Sequence, residues 1–358
     1  MRILFTKLRH IGDNLLITPI LVATKQKFPD AKIWVVVRRG TEGILAGCPE
    51  IDRLLTTARP EEGKRTWRDM GNDMGTLAVI VRTPFDYAVE LGDNDRGRTL
   101  VTASRARVRA AHAGDLEKLS PVWRRSFTDI VETDRNFFHQ VEMDYLTACG
   151  VLGLSEEIPP LHFDSSAVIP WPRAEELQEG FAVLHAATRW HCKSWPADRW
   201  RETIHRILKF TPQVVVSCGP SESEIAEAEE LCAEFGNQVL SIGGHAISAR
   251  SQVLTTGGQA SWPELAGILE RARYYVGVDT AAMHLAAAMQ CPIVSLFGHS
   301  IPGQFGPWKC PHIMIAPAGR KRGESGEVKQ GIPDNDRMLN ITVDEVVEAC
   351  RKISSSRN

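Results

Sequence analysis

Apolar residues in the N-terminal half of the chain fall into short unbroken runs, separated by stretches with helical spacing. Residues 2–8, 32–37, 53–55, 87–91 and 105–110 are strand-length runs rich in Val, Ile, Leu and Ala. Runs that do not alternate suit strands covered on both faces. Residues 15–27, 42–46, 67–81 and 98–103 carry the spacing of helices. Repeated strand–helix–strand units predict a doubly wound parallel sheet. The pattern stops over residues 155–172, where Pro159-Pro160 and Pro170-Trp171-Pro172 break any period and mark a domain boundary. It then restarts, with strands predicted over 181–185, 213–217, 239–242, 274–278 and 293–296 and helices over 200–210, 222–235, 262–272 and 281–289. Ser221-x-x-Glu224, Ser261-x-x-Glu264 and Thr342-x-x-Glu345 read as capping boxes, the last opening an amphipathic helix over 342–353. Two α/β domains in tandem are expected, over 1–165 and 173–340. Residues 319–336, rich in Gly, Lys, Arg and Asp, read as a mobile loop.

Bulk properties narrow the function class. A chain of 358 residues with 43% hydrophobic and 24% charged positions suits two cores. No run of about eighteen apolar residues is present to span a membrane. Met1 leads directly into the first strand with no basic-then-apolar leader, so the cytoplasm is the expected compartment. The eight cysteines are scattered without C-x-x-C spacing, which argues against structural zinc and fits reduced thiols. A formal net charge of −2 conceals a basic stretch from Arg96 to Arg125, with eight cations against Asp115 and Glu117. That stretch is either a solvated face or a landing site for an anionic partner. No nucleic-acid partner is expected.

Four segments carry candidate chemistry. In Val278-Asp279-Thr280-Ala281-Ala282-Met283-His284 a buried strand gives way to a helix whose first N–H groups suit a phosphate. Thr280 adds a hydroxyl donor. His284, one turn on, is either a satisfied core histidine or a donor to a phosphate or ribose oxygen, and its neighbours favour the second reading. In Thr188-Arg189-Trp190-His191-Cys192-Lys193, a hydroxyl and two cations follow the first strand of the second domain and suit a diphosphate clamp. Glu222 either caps its helix or accepts from ribose hydroxyls. In His10-Ile11-Gly12-Asp13, Asp13 caps a helix start and offers its other oxygen to an incoming hydroxyl, with Gly12 permitting close approach. Asp93-Asn94-Asp95 is either a metal-binding D-x-D pair or a polar turn. Arg96-Gly97-Arg98 beside it favours the turn, with Asn94 or Arg96 then touching an acceptor sugar.

Together these residues resemble glycosyltransferase family 9, the ADP-heptose:lipopolysaccharide heptosyltransferases. The similar segments are Lys7-Leu8-x-x-Ile11-Gly12-Asp13-x-Leu15-Leu16-x-Thr18-Pro19, Thr188-Arg189-x4-Lys193-x-Trp195-Pro196 and Val278-Asp279-Thr280-x2-Met283-His284-Leu285-Ala286, with Leu296-Phe297-Gly298 and Gly306-Pro307-Trp308 following. The wording around His10 and Thr188 is most similar to the heptosyltransferase III branch. Two departures stand out: Ala281 replaces the glycine commonest after Asp-Thr, and the chain after Pro317 follows no family pattern.

The resemblance implies a GT-B architecture, two Rossmann-like domains facing a cleft, with a terminal helix that crosses back to the N-terminal domain. It implies ADP-heptose as donor and a phosphorylated lipopolysaccharide core at the inner face of the inner membrane as acceptor. No cofactor and no metal are implied. Asp13 matches the general base. Thr188, Arg189, Lys193, Glu222, Asp279, Thr280, Ala281 and His284 fall to the donor, and Gly12, Asn94 and Arg96 to the acceptor. Inverting transfer is the expected reaction. A nucleotide-sugar epimerase, which needs no acceptor, and a non-catalytic sugar binder are the rivals. A dinucleotide dehydrogenase is disfavoured because no G-x-G-x-x-G follows a strand.

Overall fold

A computed structural model describes residues 1–58, 66–134, 137–235, 241–242, 245–246, 253–317 and 336–355. The loop expected over 319–336 lies outside the described residues except for Asp336. The chain divides into two compact units, Met1–Ser166 and Ala167–Asn358.

The first unit holds β1 (Arg2–Lys7), α1 (Ile11–Leu15), α2 (Thr18–Lys27), β2 (Lys32–Arg38), β3 (Arg53–Thr57), α3 (Trp67–Arg82), β4 (Tyr87–Glu90), α4 (Asp95–Ala103), β5 (Val108–Ala113), α5 (Pro121–Ser126), β6 (Asp129–Glu132) and α6 (Gln140–Leu152). Its six strands pair in parallel in the order β3-β2-β1-β4-β5-β6. Strand order therefore reverses between β1 and β4, the point beside which open sheets of this kind bind ligands. Ile3, Leu4, Phe5, Ala88 and Val89 are wholly buried, as helices on both faces require.

Local chemistry explains where the sequence expectations shift. The helix expected over 15–27 is two helices, because Pro19 cannot donate into a continuing ladder. Thr18 is the first residue of α2. Its hydroxyl donates to Leu15 O at 2.8 Å and accepts from His162 N at 2.9 Å. The helix expected from 98 begins three residues earlier, capped by Asn94, whose Oδ1 accepts from Gly97 N at 2.9 Å. Arg105, expected to open a strand, has φ +54° and turns the chain instead, so β5 starts at Val108.

The second unit holds β7 (Ala182–His185), α7 (Ala197–Ile207), β8 (Val214–Val216), α8 (Glu222–Ala233), β9 (Ser241–Ile242), β10 (His245–Ala246), β11 (Val253–Thr255), α9 (Trp262–Arg271), β12 (Tyr274–Val278), α10 (Ala281–Ala288), β13 (Ile293–Leu296), α11 (Pro302–Phe305), β14 (His312–Ile315), α12 (Asp336–Leu339) and α13 (Val343–Ser355). The main sheet is again parallel, ordered β11-β8-β7-β12-β13-β14, with its reversal between β7 and β12. The strand beside β8 is β11 and not the run expected over 239–242. Of that run Ser241–Ile242 is described, and it pairs antiparallel with β10. Two short apolar runs compete for one place, and local pattern does not choose between them. The terminal helix was expected to return to the first unit. It packs instead within the second, its Val346, Val347, Cys350 and Ile353 joining a core with Trp195, Trp200, Tyr274 and Val294. Arg206 of α7 reaches Asp344 at 2.6 Å, and Arg273 reaches Ser354 O at 2.7 Å.

Candidate active site

Two polar clusters stand out, one at the carboxyl edge of each sheet beside its reversal point. In the first unit β1 ends at Lys7 and the chain turns into α1 within a few residues. Asp13 occupies the third position of α1, half-buried, and its Oδ2 accepts from His10 N at 3.0 Å. One carboxylate oxygen thus fixes the helix start and sets the direction of the other. Gly12 beside it is buried. Next to this turn, Asn14 Nδ2 donates to Thr41 O at 3.2 Å and to Thr41 Oγ1 at 2.8 Å, fastening the loop after β2 onto α1.

Beneath Asp13 lies a charged pair to which the sequence reading gave no role. Lys7, wholly buried, donates to Asp144 Oδ2 at 2.5 Å and to Leu91 O at 2.8 Å. Asp144 also accepts from Gln140 Nε2 at 2.9 Å. Burial pushes the Asp144 carboxyl up, while Lys7 and Gln140 pull it down and the charge on Asp13 pushes it up again. A lysine inside an apolar strand run was the available signal, since a buried ammonium needs a partner. Glu90, at the end of β4, accepts from Gly92 N at 2.8 Å and Asp93 N at 3.0 Å. Burial dominates its titration and, against the pull of the Gly92 N–H and Arg98, pushes it up to about 7.

Two of the three residues assigned to the acceptor from sequence, Asn94 and Arg96, have internal tasks. Asn94 is the α4 cap. Arg96 donates to both oxygens of Asp73, at 3.0 and 2.8 Å, and to Ala58 O at 3.0 Å, tying α4 to α3. Both carboxylates of Asp93-Asn94-Asp95 turn to Arg98, at 2.5 and 3.1 Å. The basic stretch is not one patch. Arg109 donates to Ser126 O and Ala106 O, Arg124 to Leu116 O and Leu119 O, and Lys118 pairs with Asp115. Arg105, Arg107 and Arg109 lie at the start of β5, on the sheet edge opposite to Asp13.

In the second unit β12 ends at Val278, and Asp279 lies buried between Lys193 and His284. Lys193 Nζ is 2.6 Å from Asp279 Oδ2, and His284 Nε2 is 3.8 Å from Oδ1. Burial alone would raise the Asp279 carboxyl, but Lys193, His284 and Ser300 outweigh it and hold it below the usual range. Lys193, placed by a short 3₁₀ turn after β7, is thereby aimed at the start of α10. There the first intrahelical bond runs from Met283 N to Thr280 O at 3.1 Å, leaving the N–H groups of Ala281 and Ala282 ahead of it. The Thr280 hydroxyl lies buried beside that of Tyr275, and neither makes a well-formed hydrogen bond among the described residues. A cation, a helix start and a spare hydroxyl together suit a phosphate group.

Thr188 is half-buried, its Oγ1 accepting from Trp190 N at 3.3 Å. Arg189 and Glu222 are exposed, and neither side chain has a polar partner among the described residues. His185, under this edge, meets Ser217 Oγ at 2.8 Å, and burial lowers it to about 4, so it is neutral near pH 7. Among the described residues no group of three or more His, Cys, Asp or Glu is arranged to hold a metal ion, and no helix is long and apolar enough to cross a membrane.

The family description "Glycosyltransferase family 9 (heptosyltransferase)" matches residues 109–323. Lipopolysaccharide heptosyltransferase 3 of Escherichia coli K12 is 25% identical over 307 residues, 84% of this chain and 83% of that protein. Lipopolysaccharide heptosyltransferase 1 of Pseudomonas aeruginosa is 27% identical over 318 residues, 85% of this chain and 80% of its own. Among solved structures, E. coli heptosyltransferase WaaC with ADP shares the fold at a TM-score of 0.75 and 19% identity, covering 99% of this chain and 100% of that one. The same enzyme with ADP-2-deoxy-2-fluoro heptose gives 0.74 and 19%, over 98% and 99%. With two parallel-sheet units of the GT-B kind and a family match across more than half its length, the chain belongs to glycosyltransferase family 9 and is a glycosyltransferase.

Proposed function

We propose that this protein transfers a heptose from ADP-heptose to a sugar of the lipopolysaccharide core, with inversion at C1 and without a metal ion. The observation that carries the reading is Asp13, a half-buried carboxylate at the strand-order reversal with one oxygen bound by His10 N. In the proposed reaction Asp13 takes the proton of the acceptor hydroxyl as that oxygen bonds to C1 and the C1–O bond to ADP breaks. The electron pair of that bond leaves on the diphosphate. Lys193, the Thr280 hydroxyl and the N–H groups of Ala281 and Ala282 face the developing charge. His284 and Asp279 keep the lysine and the helix start in place, Thr188 and Arg189 extend the clamp, and Glu222 takes the ribose. The donor is supported by the ligands named for WaaC, and the acceptor by the names of the relatives. In this reading the lipid-borne acceptor is phosphorylated and met at the inner face of the inner membrane, and Gly12 lines its entry. Metal independence is supported by Arg98, an internal cation for both carboxylates of the D-x-D.

The test follows ADP release from ADP-heptose with truncated core acceptors. Asp13→Asn is expected to lower kcat by about 10²–10⁴-fold, the usual share of a general base. Release unchanged in that variant removes Asp13 from the role, and release without any acceptor in the parent turns the reading towards hydrolysis or epimerisation.

A further inference from the structure

Thr280 holds the N-cap position of α10, where a threonine hydroxyl ordinarily accepts from one of the first N–H groups of its own helix. Here it makes no such bond, and its Oγ1 is buried with no hydrogen-bond partner among the described residues. Tyr275, on β12, is wholly buried, and its hydroxyl is in the same condition. The phenol lies over Gly277: a Cβ there would fall 2.6 Å from the phenol oxygen, 2.9 Å from Cζ and 2.6 Å from His185 O. Only a glycine leaves that space, and through it the ring reaches from the middle of the strand to its carboxyl end. There its hydroxyl stands beside that of Thr280. Burial pushes the Tyr275 phenol well above its ordinary range, so it keeps its proton.

Two hydroxyls side by side carry two protons. One can be donated within the pair, and the other needs an acceptor outside it, because a buried hydroxyl left unpaired costs free energy. We infer that Tyr275 is a positioning residue for the donor: its O–H donates to Thr280 Oγ1, which keeps that hydroxyl off the N–H groups of α10 and turns its proton to an oxygen of the diphosphate. The inference rests on the transfer reading for the identity of the ligand. Tyr275 itself touches no ligand; it leaves the helix start uncapped and the threonine rotamer fixed before ADP-heptose arrives.

The experiment titrates ADP into the full-length protein by calorimetry, without acceptor or turnover. Tyr275→Phe is expected to weaken ADP binding about 3–10-fold, the size of one hydrogen bond. It should melt no lower than the parent without ADP, since the oxygen removed is buried unpaired and the freed Thr280 hydroxyl can cap α10. In a Thr280→Val background the same change should cost nothing further, as a residue acting through Thr280 requires. In the transfer assay the KM for ADP-heptose should rise in the same proportion while the acceptor KM stays in place. ADP binding equal to that of the parent overturns the inference and leaves the transfer reading standing. Equal losses in both backgrounds, or a loss matched by a lower melting temperature without ADP, assign Tyr275 to packing and overturn it as well. A parent that does not bind ADP overturns the donor reading and the inference together.

Discussion

Glu90 ends β4 wholly buried, held by two backbone N–H groups, and its pKa is raised to about 7 from an ordinary 4.5. A carboxyl that binds its proton more tightly when folded stabilises the fold at low pH and loses that contribution as pH rises. The contribution is complete below about 4.5 and gone once pH has passed through about 7, a difference on the order of 3 kcal/mol. Urea unfolding should therefore show the parent less stable near pH 8 than near pH 5, and Glu90→Gln should flatten that fall. A variant that falls as steeply as the parent would place the titration elsewhere. On the donor side, Lys193→Ala removes a charge-assisted contact, so the KM for ADP-heptose should rise about 10–100-fold. Initial rates against donor concentration check this, and an unmoved KM would separate Lys193 from the diphosphate.

At the scale of elements, α4 is pressed onto the end of β4. A Cβ on Gly97 would lie 2.5 Å from Glu90 Oε1, and Glu90 is held too firmly to give way. In an exposed helix Gly→Ala is worth about 1 kcal/mol of stability. Here overpacking reverses the sign, and Gly97→Ala should cost about 1–3 kcal/mol in denaturant unfolding. Several element boundaries were legible from single residues: Ser261 and Thr342 cap their helices as their spacing implied, each with a glutamate three residues on. Others were not. Arg105 fits a strand by neighbourhood, yet its positive φ comes from the turn that α4 needs to reach β5. Asn94 and Arg96 looked like spare polar groups because Gly97 N and Asp73, which occupy them, are not evident from the motif.

For the whole molecule, the terminal helix completes the second unit. Its buried Val346 faces the core built by α7 and the central strands. Val346→Asp would bury an unpaired charge at a cost on the order of 3–5 kcal/mol. The expected result in a thermal shift assay is a lower melting temperature together with loss of stabilisation by ADP. Retained stabilisation by ADP would mean that the donor cluster does not depend on this helix. The basic stretch teaches the same lesson at this scale: eight cations adjacent in sequence are distributed by the fold to opposite edges of one sheet and to internal partners.

The sequence by itself determined the central strands of both sheets and several helices beside them, though not β6, β11, β14 or α6. It also determined that strands and helices alternate in two tandem units and which motifs follow the strand ends, because periodicity, capping and turn chemistry act over a few residues. Only the tertiary structure decided that β11 and not residues 239–242 sits beside β8, and that Lys7 meets Asp144 across 137 positions. Those outcomes depend on strand order and register, which are settled by how the whole apolar surface is buried and which no local window of sequence contains.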